Sequence, residues 1–268
     1  MPTSVTGPTG VNPRGDRNRS LERGIDILRA FRPGVDLLGN GELADRTGLS
    51  RATVSRLTQT LVDCGMLEHD RQRRAYRLAA PVLSLAHAMR SGSPVLQVAG
   101  PLMRSEAQRL NINVGLAVAD GDEMVYLESV RYSRRVSWRN VVAGQRVPME
   151  LTSLGRAWLA VAPPDLRRSL MDQFRDRRGA GWTALESEIE SAIQCVQQQG
   201  FCWASWQPQV VALATPIAMA RGPVVVLNMS VTGDAPAQDV VQRLQEPLLA
   251  LAARVRADFN ARSASDLL

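Results

Sequence analysis

The segment from Gly41 to Leu61 constrains the fold of this chain more than any other. In it Leu43 and Ala44 occupy a short helical pattern, and Gly48 supplies a turn. Ser50 then stands where a second helix needs its N-terminal cap. A small residue and a glycine at these places let two helices cross closely, as a helix-turn-helix requires. A plain helical hairpin with a solvated polar face is the alternative.

The second helix of this pair has one apolar face and one polar face. Val54, Leu57 and Leu61 recur at helical spacing and are predicted to pack on a small core. The opposite face carries side chains able to contact the phosphates or base edges of DNA. The predicted DNA-contacting residues of this helix are Arg51, Ala52, Thr53, Ser55, Arg56 and Gln59.

The flanking segments fit the same interpretation. A helix is predicted from Ser20, with its inner face formed by Leu21, Ile25, Leu28 and Phe31. After Gly65, two short strands joined by a basic tip predict a wing, with an ordinary solvated turn as the alternative. The wing arginines expected to lie over the DNA backbone are Arg71, Arg73 and Arg74. Residues 1–18 have the composition of a flexible arm, which either enters a minor groove or has no role.

Composition narrows the class of protein. A chain of 268 residues, 45% of them apolar, is expected to form two domains with real cores. The net charge is +6 and all 32 basic residues are arginine; residues 1–80 hold 13 arginines against 9 acidic residues. Three scattered cysteines fit a reducing compartment, and no apolar run reaches the length of a membrane span. We therefore expect a cytoplasmic, soluble protein without membrane association.

The remaining sequence predicts a linker and a second domain. Residues 81–93 form a predicted linker helix after a DNA-binding domain at 19–80, and Ser91 to Pro94 marks the boundary. A second domain at 94–262 begins with a helix to about Leu110. Its predicted strands are 114–119, 124–130, 136–142, 210–217 and 224–232, and its predicted helices are 152–161, 165–174, 183–199 and 236–260. Thr183 and Glu186 are interpreted as a capping box. This order favours an α+β sensor domain.

Three segments resemble the IclR family of bacterial transcription regulators. They are Ser20-Leu-Glu-Arg-Gly-Ile-Asp-Ile-Leu28, then Gly144 to Leu159, and Gly200-Phe201 with Val211 to Ile217 and Ser230 to Gly233. The resemblance covers about residues 20–260. It implies an N-terminal winged helix-turn-helix, a linker helix and a C-terminal GAF-like mixed α/β domain that binds a small organic acid. It also implies dimers that often pair into tetramers.

The resemblance carries an effector site onto particular residues. They are Val136, Arg139, Val147, Ser153 and Leu154 on one side, with Val210, Ala212, Ser230 and Thr232 on the other. Ser230 and Thr232 alternate on a strand and would present two hydroxyls on one side. Arg139 is a candidate partner for a carboxylate.

The chain departs from the family pattern at several positions. Glu150 replaces a usual histidine and Arg156 a usual lysine, and the loop after Gly200 contains Trp203 and Trp206. With Trp138, these tryptophans favour an aromatic effector; the alternative is that they belong to a core or a subunit interface.

Other classes of function have less support. The two histidines, His69 and His87, are remote in sequence from Cys195 and Cys202, so no nucleophile has an evident base. No metal-ligand spacing or phosphate loop occurs, and no cofactor, catalytic residue or metal site is predicted. We expect a regulator that binds a palindromic operator in double-stranded DNA as a dimer or dimer of dimers and responds to an effector. An architectural DNA-binding protein without a ligand is the main alternative, and an enzyme the more remote one.

Overall fold

The computed structural model describes residues 18–132, 141–219 and 222–265. Its backbone contacts divide the chain into two units, with the division between Ala86 and His87. The first unit contains a winged helix-turn-helix and the second a six-stranded antiparallel sheet between helices. The α+β class expected from the sequence is therefore confirmed.

The first unit packs three helices against a small sheet. Its elements are α1 (Arg19–Arg29), β1 (Leu38–Gly39), α2 (Asn40–Thr47), α3 (Arg51–Asp63), β2 (Leu67–Asp70) and β3 (Ala75–Leu78). Strand β3 lies between β1 and β2, and both pairings are antiparallel. The core is formed by Ile27, Ala30, Phe31, Leu38, Leu43, Val54, Leu67 and Tyr76. Gly48, at φ +68°, ends α2 in the left-handed conformation that a glycine adopts without strain.

Helix α1 and the residues after it bury only part of the predicted face, since Leu28 and Phe31 pack on the core as predicted. Leu21 and Ile25 are exposed, whereas Ile27 and Phe31 are buried. Both sets recur at helical spacing, so periodicity alone permits either face. The other helices of the unit select the face that contains the bulky Phe31, and Leu21 with Ile25 is left at the surface.

Helix α4 (Ala80–Ser91) follows β3 and crosses the boundary between the two units. None of its residues is fully buried, although Leu83, Leu85 and Met89 are large and apolar. Its C-terminal end is attached to the second unit by Arg90, which donates hydrogen bonds to the Leu127 carbonyl and, at 2.8 Å, to Glu128 Oε2.

The second unit is built on one sheet with helices on both faces. The elements up to the middle of the unit are α5 (Pro94–Leu110), β4 (Asn113–Asp120), β5 (Glu123–Val130), β6 (Arg146–Pro148), α6 (Ser153–Leu159) and α7 (Pro164–Arg178). They are followed by α8 (Trp182–Gln199), β7 (Cys202–Gln207), β8 (Val210–Ile217), β9 (Val225–Thr232) and α9 (Ala237–Ser265).

The sheet has the strand order β6-β5-β4-β9-β8-β7, and every neighbouring pair is antiparallel. Helices α5 and α9 pack on one face, where Met103, Leu213, Leu227 and Leu244 are buried. Helices α6 and α8 cover part of the other face. Since side chains alternate along a strand, every second residue of β4, β8 and β9 points toward this second face.

Three sequence predictions for this unit need correction or lie outside the structure. Helix α8 begins at Trp182 with Gly181 as its N-cap, so Thr183 lies inside the helix and forms no capping box. A short 3₁₀ turn leads directly into α8, and the burial of Trp182 fixes its start. The segment after Gly200, interpreted as a loop, forms the edge strand β7. The predicted strand 136–142 falls mostly on residues 133–140, which lie outside the described residues.

Among the described residues, no helix combines the length and the apolar character needed to cross a bilayer.

Candidate functional site

Helix α3 is held in place by one face and exposes the other. Ser50 caps its first turn by accepting a hydrogen bond from the Thr53 backbone N–H at 3.3 Å. Val54 and Thr58 are fully buried beneath it, and the Thr58 hydroxyl donates back to the Val54 carbonyl at 2.9 Å. The helix therefore contributes one rigid apolar stripe to the core, and its outer face carries no packing role.

The outer face of α3 presents the predicted DNA-contacting side chains to solvent. Its exposed residues include Arg51, Ala52, Ser55, Arg56 and Gln59, and Thr53 is half-buried beside the cap. Within the described ranges, neither Arg51 nor Arg56 has a carboxylate partner in an ion pair. The small Ala52 between them leaves space for close approach to a DNA groove.

The predicted hairpin of the wing is present, with its arginines at the tip. Residues 71–74 connect β2 to β3, and Arg71, Arg73 and Arg74 are exposed. Asp70 holds the tip in shape, because its carboxylate accepts from the Arg73 backbone N–H at 3.0 Å and from Arg77 at 3.0 Å. The Arg73 backbone hydrogen bond is also the main reason that the pKa of Asp70 is lowered. The three tip arginines thus keep their guanidinium groups available for phosphates.

The second unit contains a cavity of about 290 Å³ on the sheet face that α6 and α8 only partly cover. Its size lies near the lower end of the ~300–1,000 Å³ typical of small-molecule sites. The cavity is lined by Asn113, Val114, Gly115, Tyr126, Ser129, Arg131, Val141, Gln207, Pro208, Val210, Asn228, Ser230 and Thr232.

Burial along β9 gives this cavity a closed end and an open end. Asn228 is buried, Ser230 is half-buried and Thr232 is exposed, and all three line the cavity. The closed end also contains Gly115 and Tyr126. Arg131 is half-buried and provides the guanidinium group of the lining. The cavity can therefore hold an anion near Arg131 and the hydroxyls while its interior stays uncharged.

The structure brings together only part of the predicted effector site. Val210, Ser230 and Thr232 line the cavity, with the two hydroxyl residues on the same side of β9. Ala212 is buried one step further along β8. The residues of the other predicted side, namely Val147, Ser153 and Leu154, are buried in the neighbouring core and do not line the cavity. Val136 and Arg139 lie outside the described residues. Effector binding by these nine residues stays a prediction.

Several residues of the lining were not found by sequence reasoning. Asn228 had a usable signal, since it lies two residues before Ser230 and so faces the same side. Gly115 and Tyr126 had none, because their proximity to Asn228 depends on how β4, β5 and β9 pair. Arg131 follows the end of β5 and takes the position of a cationic partner that was predicted for Arg139.

The tryptophans after Gly200 do not line this cavity. Trp203 alternates with the buried Cys202 and Ala204 of β7, and Trp203 and Trp206 are each a little over a third exposed (37% and 38%). Trp203 instead lines a second concavity of about 590 Å³ between α8 and β7, with Arg156, Glu188, Cys195 and Cys202 also in its wall. These two residues therefore give no support to an aromatic effector.

Glu150, at the position that departs from the family pattern, is fully buried and serves as an anchor between helices. Its Oε1 accepts from Arg178 Nη2 at 2.6 Å and from Arg177 Nη2 at 3.1 Å, both in the last turn of α7. Its backbone carbonyl accepts from Arg156 Nε at 3.0 Å. Arg156 in turn pairs with Glu188 of α8 at 2.7 Å. The substitution therefore ties α6, α7 and α8 together and does not enter the cavity.

Cys202 and His69 have the properties of structural groups. Burial raises the pKa of Cys202 to about 12; Arg156 lowers this pKa and Cys195 raises it, each by a smaller amount, so the thiol stays protonated at neutral pH. Its Sγ donates to the Ser153 carbonyl at 3.4 Å. His69 stacks on Tyr76 with ring centroids 4.9 Å apart. Over the described part of the chain, no three His, Cys, Asp or Glu side chains are grouped to hold a metal ion.

Comparison with known proteins assigns a family to both units. Residues 20–71 match the IclR helix-turn-helix domain, and residues 87–257 match the C-terminal domain of bacterial transcriptional regulators of the IclR type. The HTH-type transcriptional regulator TsaQ1/TsaQ2 of Comamonas testosteroni is 34% identical over 203 residues, which cover 75% of this chain and 73% of that protein.

Solved structures agree with this assignment. An IclR-family transcriptional regulator from Brucella abortus superimposes with a TM-score of 0.82 at 30% identity, covering 94% of this chain and 96% of that one. An IclR homologue from Microbacterium hydrocarbonoxydans, solved in complex with 4-hydroxybenzoate, superimposes with a TM-score of 0.69 at 25% identity. That alignment covers 90% of this chain and 99% of the homologue.

Proposed function

The chain belongs to the IclR family of bacterial transcriptional regulators, and we propose that it binds a palindromic operator and releases or rearranges on it when a small organic acid enters the cavity. In this proposal α3 lies in the major groove and the wing tip lies over the backbone. The observation that carries it is the exposed face of α3, where Arg51 and Arg56 stand without carboxylate partners in the described ranges. A regulator of this kind performs no catalysis, so the enzyme alternative is set aside.

The effector in this proposal is a small acid with a single ring. The cavity combines a guanidinium group at Arg131 and the hydroxyls of Ser230 and Thr232 with the apolar Val141 and Val210. Charge-assisted hydrogen bonds from such groups favour a carboxylate, and apolar walls favour a ring or short hydrocarbon. The homologue solved with 4-hydroxybenzoate supports an aromatic acid. The cavity volume of about 290 Å³ favours a ligand of that size.

The DNA-binding form in this proposal is a dimer, which in turn pairs into a tetramer. Helix α4 exposes Leu83, Leu85 and Met89, at 74%, 60% and 54%. Leu85 and Met89 are four residues apart and share one side of α4, where exposed apolar side chains are unfavourable in water and a second copy of α4 would cover them. A two-fold axis of this kind places two α3 helices on half-sites separated by about 34–36 Å.

A hydrogen-bonded chain connects the cavity to α4 and provides a physical basis for the response. Ser129 and Arg131, at the end of β5, line the cavity. The Ser129 backbone N–H donates to Glu128 Oε1 at 2.9 Å, and Glu128 Oε2 accepts from Arg90 at 2.8 Å. Because Arg90 lies in the last turn of α4, a ligand that moves the end of β5 changes a contact of that helix directly.

The test measures operator affinity by fluorescence anisotropy, using DNA from the region upstream of the gene, with and without 4-hydroxybenzoate. We expect the acid to change the affinity by a factor of about 5–150, the usual range of allosteric coupling. In Glu128→Gln the affinity for the operator alone and the affinity for the acid alone should stay close to those of the wild type. The factor by which the acid changes operator affinity should fall toward one. Glu106→Gln is the matched control, because the Glu106–Arg109 ion pair lies within α5. Unchanged coupling in Glu128→Gln would exclude this route.

A constitutive DNA-binding protein is the competing outcome of the same test. It predicts specific operator binding that no acid changes. Failure of the wild-type protein to prefer the upstream DNA over unrelated DNA would overturn the proposal as a whole.

A further inference from the structure

Asn228, which lines the cavity, has a buried side-chain oxygen without a hydrogen-bond partner in the described residues. The side chain lies on β9 and is only 4% exposed. Its Oδ1 is one of four buried side-chain oxygen or nitrogen atoms without a hydrogen-bond partner in the described residues; the others are Asn40 Oδ1, Glu150 Oε2 and Trp182 Nε1. Of these four residues only Asn228 lines the cavity. Buried acceptors are normally paired, so this oxygen is a candidate acceptor for a hydrogen-bond donor on a ligand.

Gly115 makes room for this arrangement. It pairs directly with Asn228 across β4 and β9. A Cβ built at Gly115 would overlap the Asn228 amide oxygen and would lie 2.5 Å from Cε1 of the Tyr126 ring. The side chains of Asn228 and Tyr126 therefore lie directly over the backbone of β4 at Gly115. Only a glycine at this position leaves room for them. The polar floor of the cavity is built from three strands, and its geometry allows no larger residue in the middle one.

Tyr126 completes an uncharged floor. Burial raises the pKa of its phenol to about 12, and the hydrogen bond with the Asn228 side chain lowers it by a smaller amount. The phenol is therefore neutral at any physiological pH. Among the described lining residues the cationic group is that of Arg131, which follows β5 and is not part of this floor. A neutral donor therefore suits the Asn228 amide oxygen better than a carboxylate does.

The spacing along β9 fixes how far this floor lies from the open end. Asn228 and Ser230 are two residues apart on the same face, which corresponds to about 7 Å in a strand. That separation matches two groups on opposite sides of one benzene ring. A ring with its carboxylate near Arg131 and Ser230 would place its para position against Asn228.

We propose that Asn228 is a specificity-determining residue that accepts a hydrogen bond from a hydroxyl group of the effector, so that the cavity selects hydroxylated acids, with the hydroxyl across the ring from the carboxylate. This inference rests on the proposed binding of an acid in the cavity. A site built around a buried acceptor rejects an analogue that leaves the acceptor unpaired far more strongly than an apolar pocket rejects a missing methylene.

The experiment measures binding to the full chain by calorimetry with four probes: benzoate, 4-hydroxybenzoate, 2-hydroxybenzoate and 4-methoxybenzoate. We expect 4-hydroxybenzoate to bind at least tenfold more tightly than the other three. The 4-methoxy compound keeps an oxygen at the para position but has no O–H to donate, so it tests whether the donor itself is required. Equal binding of benzoate and 4-hydroxybenzoate, or tight binding of 4-methoxybenzoate, would overturn the proposal.

Two variants then locate the selectivity. Asn228→Leu should lose the preference for the hydroxyl while still binding benzoate. The control is Asn113→Leu, which removes an amide that lines the same cavity at the level of Ser230 and should leave the preference intact. A uniform loss of affinity for all four acids in Asn228→Leu would identify a merely structural role and contradict the inference.

The outcome can be separated from the failure of the proposed function. If no probe binds while the wild-type protein still binds its operator, the hydroxy-acid inference is wrong and DNA binding stands. If the wild-type protein does not bind the operator, the proposed function itself is overturned.

Discussion

The two candidate sites of this protein are built in opposite ways. The proposed DNA-reading face of α3 lies on 13 consecutive residues, and the side chains proposed to contact DNA are mostly exposed. The cavity draws its lining from β4, β5, β7, β8 and β9, and its most informative side chains, Tyr126 and Asn228, are buried. The first site can be changed one side chain at a time, whereas the second depends on close packing of several strands.

This difference has a physical cause. A helix that contacts DNA must expose the side chains that make the contacts, so these side chains contribute little to the packing of the folded core. A cavity for a small acid must exclude water and hold its polar groups still, so folding and binding share the same atoms. Substitutions in the second unit should therefore alter stability as well as binding, while those on α3 should alter binding alone.

The largest effect is expected from Gly155→Ala in α6. A Cβ at Gly155 would overlap the backbone of Met149, and backbone atoms cannot turn aside as a flexible side chain can. We expect a loss of unfolding free energy of about 3 kcal/mol or more, measured by chemical denaturation of the second unit. Gly181→Ala is the control, since it has no atom within 4 Å of the new Cβ. Its stability should stay within about 0.5 kcal/mol of wild type. A stable Gly155→Ala protein would contradict this account of α6.

A smaller effect, confined to DNA binding, is expected from Arg51→Ala and Arg56→Ala. Each should weaken operator binding by a factor of about 5–150, without a change in melting temperature or in acid binding. A loss limited to one base preference would identify a base contact, and a uniform loss with a shallower salt dependence a phosphate contact. Arg168→Ala, an exposed arginine of α7, serves as the control. If either α3 variant were unfolded, the claim that substitutions on α3 alter binding without altering stability would be wrong.

The smallest effect is expected from Gly24→Ala in the middle of α1. No heavy atom lies within 4 Å of the new Cβ, and alanine favours the helix more than glycine does. The first unit should gain about 0.5–1 kcal/mol in unfolding free energy with unchanged operator affinity. The paired variant Gly34→Ala also has open space, but its φ of +88° strains an alanine, so it should destabilise the unit. Thermal unfolding would show opposite shifts, and shifts of the same sign would contradict this reasoning.

Local patterns in the sequence predicted most of the helices and strands. The Ser50 cap, the turn at Gly48 and the basic wing tip are all encoded within a few neighbouring residues. The prediction was wrong for Leu21 and Ile25 of α1, which are exposed although they recur at helical spacing with the buried Phe31. It was also wrong at β7, where the alternation of buried Cys202 and Ala204 with exposed Trp203 had the period of a strand.

The sequence by itself determined helix α3, the proposed DNA-reading helix, and its exposed arginines, because a helix face is set by residues three and four positions apart. Only the tertiary structure decided the cavity. Gly115, Tyr126 and Asn228 are separated by up to about a hundred residues, and the pairing of β4 with β5 and β9 brings them together. Strand pairing depends on the burial of whole faces of the sheet. The residues that line the cavity therefore cannot be identified from the sequence without the register of the strands.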